Sequence, residues 1–415
     1  MGADRAFAAA MGMLGPFEPA PRIAAGVSGG ADSMALALLA DAWTRECGGS
    51  LLALVVDHGL RPESAREAAT TVARLGARGI AAKLLAISGL AKGPALAERA
   101  RTARYAVLEA ACAEAGILHL LLGHHAADQA ETLLMRALSG SGLAGLAGMA
   151  PVVELRRLRL LRPLLAMPPA RLRALLTSVG AAWIEDPSNL DAAALRPRLR
   201  LLSRDGDGSA TAALVAAAAA AARTRAARDE GVAAVLAEHA VLRPEGFAVL
   251  SGRPLPPPAL AAVLQALAGA PFPADTRSVA ALAAAPRPAT LAGIRLLPAG
   301  RHGPGLLAVR EPAAMAPRVR ARAGVVWDGR FRLCDPACVP ADATFGALGD
   351  DAARLRRLSR LPSVVLRTLP AVRCGSALLA VPHLNYPGRE GCARFPVVFS
   401  PPRPAAAAPF GFGDA

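Results

Sequence analysis

A chain of 415 residues exceeds one ordinary hydrophobic core, so two or three domains are expected. Hydrophobic residues make up 53% and aromatics only 4%, with alanine supplying much of the difference, a balance that favours helices over thick aromatic packing. The formal charge of +15 rests almost wholly on arginine, since lysine stands only at Lys83 and Lys92; such an excess suits a polyanionic partner, nucleic acid first. The longest apolar run, 210–222 with one threonine, falls short of the roughly 18 to 20 residues a membrane span needs and is followed by Arg223, Arg225 and Arg228. The apolar stretch 6–15 lacks a long apolar core and a cleavage site, so a cytoplasmic protein without membrane contact is expected.

Taken in chain order, the first strong signal is an apolar run at 23–27, then Ser28-Gly29-Gly30-Ala31-Asp32-Ser33, then a helix-compatible stretch at 34–43. A strand, a glycine turn and a helix start form a phosphate cradle, because glycine lets the backbone approach an anion and the first helical N–H groups point at it. Ser28 and Ser33 add hydroxyls, and Asp32 beside a polyphosphate implies a bridging magnesium ion. Further strand-like runs at 51–56, 83–87 and 117–122 alternate with helix-length segments, the pattern of βαβ units and a parallel sheet. Asp57-His58 and Gly123-His124-His125 follow two of these strands, at the sheet edge where open α/β folds bind ligands. Asp57 and His58 are candidates for a nucleotide pocket, with an Asx turn as the plainer reading of Asp57.

Glu98, Arg101, Arg104 and Tyr105 fall three to four residues apart on a predicted helix, where a guanidinium can serve phosphate or remain in a solvated ion-pair face. The spacing of His124, Asp128 and Glu131 predicts one face of a helix starting after the fourth strand. That order is not a zinc HExxH motif and fits an acidic, catalytic surface better. A glycine-rich stretch, 139–148, ends this helix; arginines crowd 156–162, and an amphipathic helix is predicted at 169–179. The domains expected are 1–205, a catalytic α/β domain; 206–312, a helical region opening with a long helix at 210–239; 313–400, a small module with strands at 364–369 and 377–381; and 401–415, a disordered tail. Cys334, Cys338, Cys374 and Cys392 have no specific zinc spacing, and Cys47 and Cys112 are single and far apart.

Together SGGADS at 28–33, DHGLR at 57–61, ARTARY at 100–105, GHHAADQAET at 123–132, GSGLAGLAGM at 140–149, RPLL at 162–165 and WIEDPSNLD at 183–191 resemble the tRNA(Ile)-lysidine synthetases, a family of the N-type ATP pyrophosphatase or PP-loop superfamily. The resemblance covers about residues 20–205. It implies a Rossmann-like fold and a two-step ligation: ATP adenylates the C2 oxygen of the anticodon wobble cytidine of an isoleucine tRNA, and free L-lysine then displaces AMP. On that basis Ser28, Gly29, Gly30, Ala31, Asp32 and Ser33 grip the pyrophosphate, with Asp32 toward Mg2+, and Asp57 and His58 line the ATP pocket. Arg101 neutralises phosphate charge and Asp128 or His124 takes the proton of the amine. Arg104, Asn189, Arg196 and Arg200 meet the tRNA. The family usually carries two aspartates before the glutamine, whereas Ala127 stands first here; Ser139 and Pro197 replace a common arginine and asparagine. A PP-loop enzyme that thiolates tRNA would need paired cysteines at the catalytic domain, and a non-catalytic RNA-binding homologue would not need an intact SGGADS.

Overall fold

The computed structural model describes residues 2–87, 89–90, 93–155, 157–185, 208–336, 339–388, 390 and 394–406. They group into two compact units, one ending at Ala226 and one beginning at Ala227. In chain order the first unit comprises α1 (Ala3–Leu14), β1 (Arg22–Val27), α2 (Ala31–Glu46), β2 (Ser50–Asp57), α3 (Ser64–Gly76), β3 (Ala81–Ala86), α4 (Leu96–Glu114), β4 (His119–Leu122), α5 (Ala126–Leu138), the short α6 (Leu143–Leu146), β5 (Val152–Glu154), β6 (Arg159–Leu161) and α7 (Pro169–Ser178).

Six strands form one sheet in the order β3-β2-β1-β4-β6-β5, parallel throughout except for the edge strand β5. Ile23, Ala24, Ala25 and Val27 are all buried, because a central parallel strand is covered on both faces. One face packs Phe7, Met11 and Leu14 of α1, Met34 of α2 and Leu172 of α7 against Ile23 and Val55. Leu108 and Cys112 of α4 cover the other face against Ala24, Leu54 and Leu120. Burying each large side chain contributes about 1.5–3 kcal/mol, so the apolar stretch at 6–15 is built into this core. The chain runs from β1 outward to β2 and β3 and returns on the opposite side as β4. The loops after β1 and β4 therefore part, and a crevice opens at the carboxyl ends of these strands.

The long helix spans Ser209–His239. From Ala227 onward, the second unit adds a five-stranded antiparallel sheet of Ala240–Arg243, Phe247–Leu250, Leu306–Arg310, Ile294–Pro298 and Ala289–Leu291, with helices Pro257–Ala268 and Thr276–Ala284 in the same core. Two further antiparallel sheets, of four and three strands, occupy the region from Val319 to Phe399. The run at 377–381 forms the strand Ala377–Ala380, but 364–369 does not form one. Ser363–Leu366 is a helical turn whose start follows Pro362, and it buries Val365 and Leu366; packing overrides the β preference of the paired valines. Ala405 lies in the second unit's core, and residues 407–415 of the expected tail lie outside the described residues.

One charged cluster is sealed inside this unit. The Asp328 carboxylate accepts from Arg310 Nε and Nη2, each at 3.1 Å, from Arg330 Nε at 2.7 Å and from the Ala316 N–H at 3.0 Å. Arg310 also donates to the Gly293 and Ala314 carbonyls, and Arg330 to the Gly246 carbonyl. Burial pushes the Arg330 guanidinium down to about 10, against the opposing pull of Asp328.

Candidate active site

Strand β1 ends at Val27 and α2 begins at Ala31, leaving Ser28, Gly29 and Gly30 as the turn. Gly29 has φ +86°, and a Cβ there would collide with the Thr71 hydroxyl of α3, so both the backbone and the space require glycine. The Ser28 N–H donates to Ser33 Oγ at 3.1 Å, the two hydroxyls lie 3.2 Å apart, and the Ser33 hydroxyl donates to the Gly30 carbonyl at 2.9 Å. Ser33 therefore braces the loop from within. The helix leaves the N–H groups of the first turn of α2 without intrahelical partners, and these can meet an anion. Asp32, the second residue of α2, lies at the same point.

Gly123 closes the approach from the other side. A Cβ on it would stand 3.3 Å from Ser33 Cα and 3.4 Å from Ser33 N, so its missing side chain lets the end of β4 lie against the start of α2. His125, next but one, caps α5: its Nδ1 accepts the Asp128 N–H at 3.4 Å, and its own N–H donates to Asp128 Oδ2 at 3.1 Å. With Nδ1 accepting, this network assigns the ring proton to Nε2, 3.3 Å from Asp32 Oδ2. An imidazole thus links the glycine loop to α5. Sequence spacing placed His124, Asp128 and Glu131 on one helical face, but α5 starts at Ala126 and His124 lies outside it. The cap at His125 sets that start, and Glu131 is buried on α5.

His124 belongs to an arginine-rich wall. Arg162 Nε donates to His124 Nδ1 at 3.3 Å and Arg162 Nη1 donates to the Ala150 carbonyl at 2.7 Å. Arg101 and Arg104, one helical turn apart on α4, bring their guanidinium carbons to 5.2 and 5.8 Å from the Tyr105 ring centre. Burial, reinforced by Arg162, Arg101 and Arg104 and opposed by Asp128, pushes the His124 imidazole down to about 4. Burial also lowers the Arg104 and Arg162 guanidiniums.

These walls enclose a cleft of about 750 Å³, within the range of small-molecule sites. Of the residues singled out from sequence, Ser28, Gly30, Ala31, Asp32, Ser33, His58, Arg104 and His124 line it. Gly29 shapes the turn, Asp128 faces His125, and Arg101 Nη2 donates to the Tyr105 hydroxyl at 3.4 Å. Asp57 accepts from the Gly59 N–H at 2.9 Å and the Ser64 hydroxyl at 2.6 Å, bonds that hold its carboxyl below the usual range and assign it to an Asx turn. His58 Nδ1 accepts the Leu60 N–H at 3.2 Å. Asn189, Arg196 and Arg200 lie outside the described residues.

Sequence reasoning put His125 at the sheet edge but missed its capping role, and it missed Arg162 as a hub, the Arg61–Glu67 pair at 2.9 Å and Trp183–Ile184, which line the cleft beside Glu185 after the Ile184 N–H pairs with the Gly29 carbonyl at 2.8 Å. The signals were there: Arg61 ends DHGLR, Arg162 opens RPLL and Trp183 opens WIEDPSNLD. Among the described residues no group of three or more His, Cys, Asp or Glu could hold a metal. Cys112 is buried, with its thiol pushed up to about 11 by burial, the opposite of an activated thiolate. Among the described residues no helix is long and apolar enough to cross a membrane.

A parallel sheet with a glycine turn at its switch point, opening on a cleft of this size, defines an α/β nucleotide-binding domain. Residues 5–203 match the PP-loop domain family. The chain is similar to a tRNA(Ile)-lysidine synthase of Bradyrhizobium sp. (strain BTAi1 / ATCC BAA-1182), 44% identical over 46% of this chain and 54% of that protein. It is 42% identical to the tRNA(Ile)-lysidine synthase of Bradyrhizobium diazoefficiens over 46% of this chain and 53% of the relative, and 38% identical to that of Rhodopseudomonas palustris over 46% and 56%. The chain thus matches about half the length of these curated relatives, all of it in the PP-loop half.

Proposed function

We propose that this chain is an ATP-dependent ligase that joins free L-lysine to C2 of the wobble cytidine of an isoleucine tRNA, forming lysidine through an adenylated tRNA. The observation that carries the reading is the meeting of the glycine turn and Asp32 with His124 in one cleft, Asp32 being tied at 3.3 Å to His125, which caps α5 with Asp128, in a domain 44% identical to a named tRNA(Ile)-lysidine synthase. The cytidine C2 oxygen attacks the α-phosphorus of ATP and pyrophosphate leaves. The lysine amine then attacks C2, the C2–O bond breaks and AMP leaves.

The residues divide this work by charge. The turn at 28–33 and the first turn of α2 hold the departing pyrophosphate, and Arg101 and Arg104 supply positive charge beside it. Magnesium fits a site with one carboxylate, Asp32, and phosphate oxygens as the remaining ligands, since this ion is commonly held by one or two carboxylates with substrate phosphates. When bound it would offset charge on the phosphates. His124, held neutral among three guanidiniums, neither attracts an ammonium nor takes its proton at neutral pH. Asp128 takes that role: its carboxylate draws the lysine ammonium in and takes one proton before the attack, because the nitrogen has a lone pair to offer C2 only once that proton has gone. The excess of arginine supports a tRNA partner, which Arg104, Asn189, Arg196 and Arg200 would contact.

The test is pyrophosphate exchange into ATP with purified components. The expected result is exchange that requires unmodified isoleucine tRNA and proceeds without lysine. Exchange that ignores the tRNA, or its absence with the tRNA supplied, contradicts the adenylation step.

A further inference from the structure

We infer that Arg162 is a positioning residue that fixes His124 as the Nε2–H tautomer, making it a neutral hydrogen-bond donor in the cleft. This rests on the reaction proposed above and says how one wall of that same site is set. Arg162 is 7% exposed and spends its donors inward, on His124 Nδ1 at 3.3 Å and on the Ala150 carbonyl at 2.7 Å. Its own N–H donates to the Pro151 carbonyl at 2.9 Å, so backbone and side chain both anchor it to the segment after the glycine-rich stretch.

The tautomer follows from donor and acceptor accounting. A guanidinium nitrogen can only donate, so the ring nitrogen facing it must be the unprotonated one. In a neutral imidazole the proton then sits on Nε2. The charged groups around the ring are Arg162 on β6's exit, Arg101 and Arg104 on α4, and Asp128 on α5; burial first, and then three cations against one anion, keep a second proton off. His124 lines the cleft, so its N–H is available to a phosphate oxygen or to the oxygen on which negative charge builds as AMP leaves. Arg104 is the one of the three arginines that also lines the cleft; Arg162 acts through the histidine.

The experiment is nitrogen NMR of the full chain labelled with 15N-histidine, with His124 assigned by comparison with H124Q. At neutral pH and without any substrate, the wild-type ring shows one protonated nitrogen, Nε2, and one unprotonated, Nδ1. In R162A the Nδ1–H form appears. R162K, which keeps the charge but lacks the fork that reaches the ring and the Ala150 carbonyl at once, also shows the mixture and guards against a misfolded R162A. A wild-type ring protonated on Nδ1 or on both nitrogens overturns the inference, as does an R162K ring identical to wild type. These readouts need no ATP, tRNA or lysine, so they stand or fall apart from the proposed reaction. In the tRNA-dependent assay, H124A and R162A are each expected to lose about 100-fold, the scale of one transition-state donor, and the double variant no more than either alone. H124Q, with an amide N–H near the position of Nε2, loses less than H124A. Additive losses in the double variant would show that Arg162 does not act through His124.

Discussion

Two arginine clusters in this chain are built from the same residue types and do opposite things. In the second unit Arg310 and Arg330 close on Asp328, and nearly every donor ends on a carboxylate or a carbonyl inside the fold. In the first unit Arg101, Arg104 and Arg162 surround Tyr105 and His124, and this group borders the cleft. The lesson is that a buried guanidinium with its anion beside it holds structure, whereas three guanidiniums grouped with one carboxylate, Asp128, leave positive charge in excess among the described residues, with Arg104 facing the cleft. The second arrangement costs stability, and a polyphosphate would offset that cost.

The comparison breaks first at Asp328. Asp328→Ala removes the shared anion of two buried cations and should lower unfolding free energy by about 3–5 kcal/mol, read by urea titration, while ATP affinity of the folded fraction stays the same. Asp32→Ala should do the reverse. Loss of tRNA-dependent pyrophosphate exchange by about 1000-fold is expected, with stability altered by no more than about 1 kcal/mol, the scale of an acidic side chain in the first turn of a helix. An Asp32 variant that unfolds, or an Asp328 variant that stays stable and inactive, would invert the assignment.

The smallest effect concerns pH. The His124 ring falls from its ordinary 6.5 to about 4, so the folded state resists a proton that the unfolded chain accepts. The associated stability is fully present above pH 6.5 and is lost as pH falls through about 4. Wild type should lose at most about 3 kcal/mol more than H124Q over that window, measured as urea midpoints at each pH. Equal losses in the two proteins would show that His124 is not held neutral by its surroundings.

The nucleotide half was legible because its signals are local. The apolar runs at 23–27, 51–56, 83–87 and 117–122 fall on β1 to β4, and the glycine turn sits between β1 and α2. Helical spacing misread His124, because a histidine cap with Asp128 as its partner starts α5 two residues later than the pattern allows. The role of Arg162 was illegible for a different reason. It lies 38 residues from His124, and only the pairing of β4 with β6 brings the two together. In the second unit, valines at 364 and 365 read as strand, and burial of Val365 and Leu366 beneath a proline-started turn decided otherwise.

The most direct test of the central claim is mass spectrometry of nucleosides from isoleucine tRNA incubated with the full chain, ATP, magnesium and isotopically labelled lysine. The account predicts that the wobble cytidine gains the mass of lysine less one water, that the label appears at that nucleoside alone, and that AMP forms in equal amount. An unchanged cytidine in the presence of active, folded protein, or sulfur in place of lysine, would contradict it.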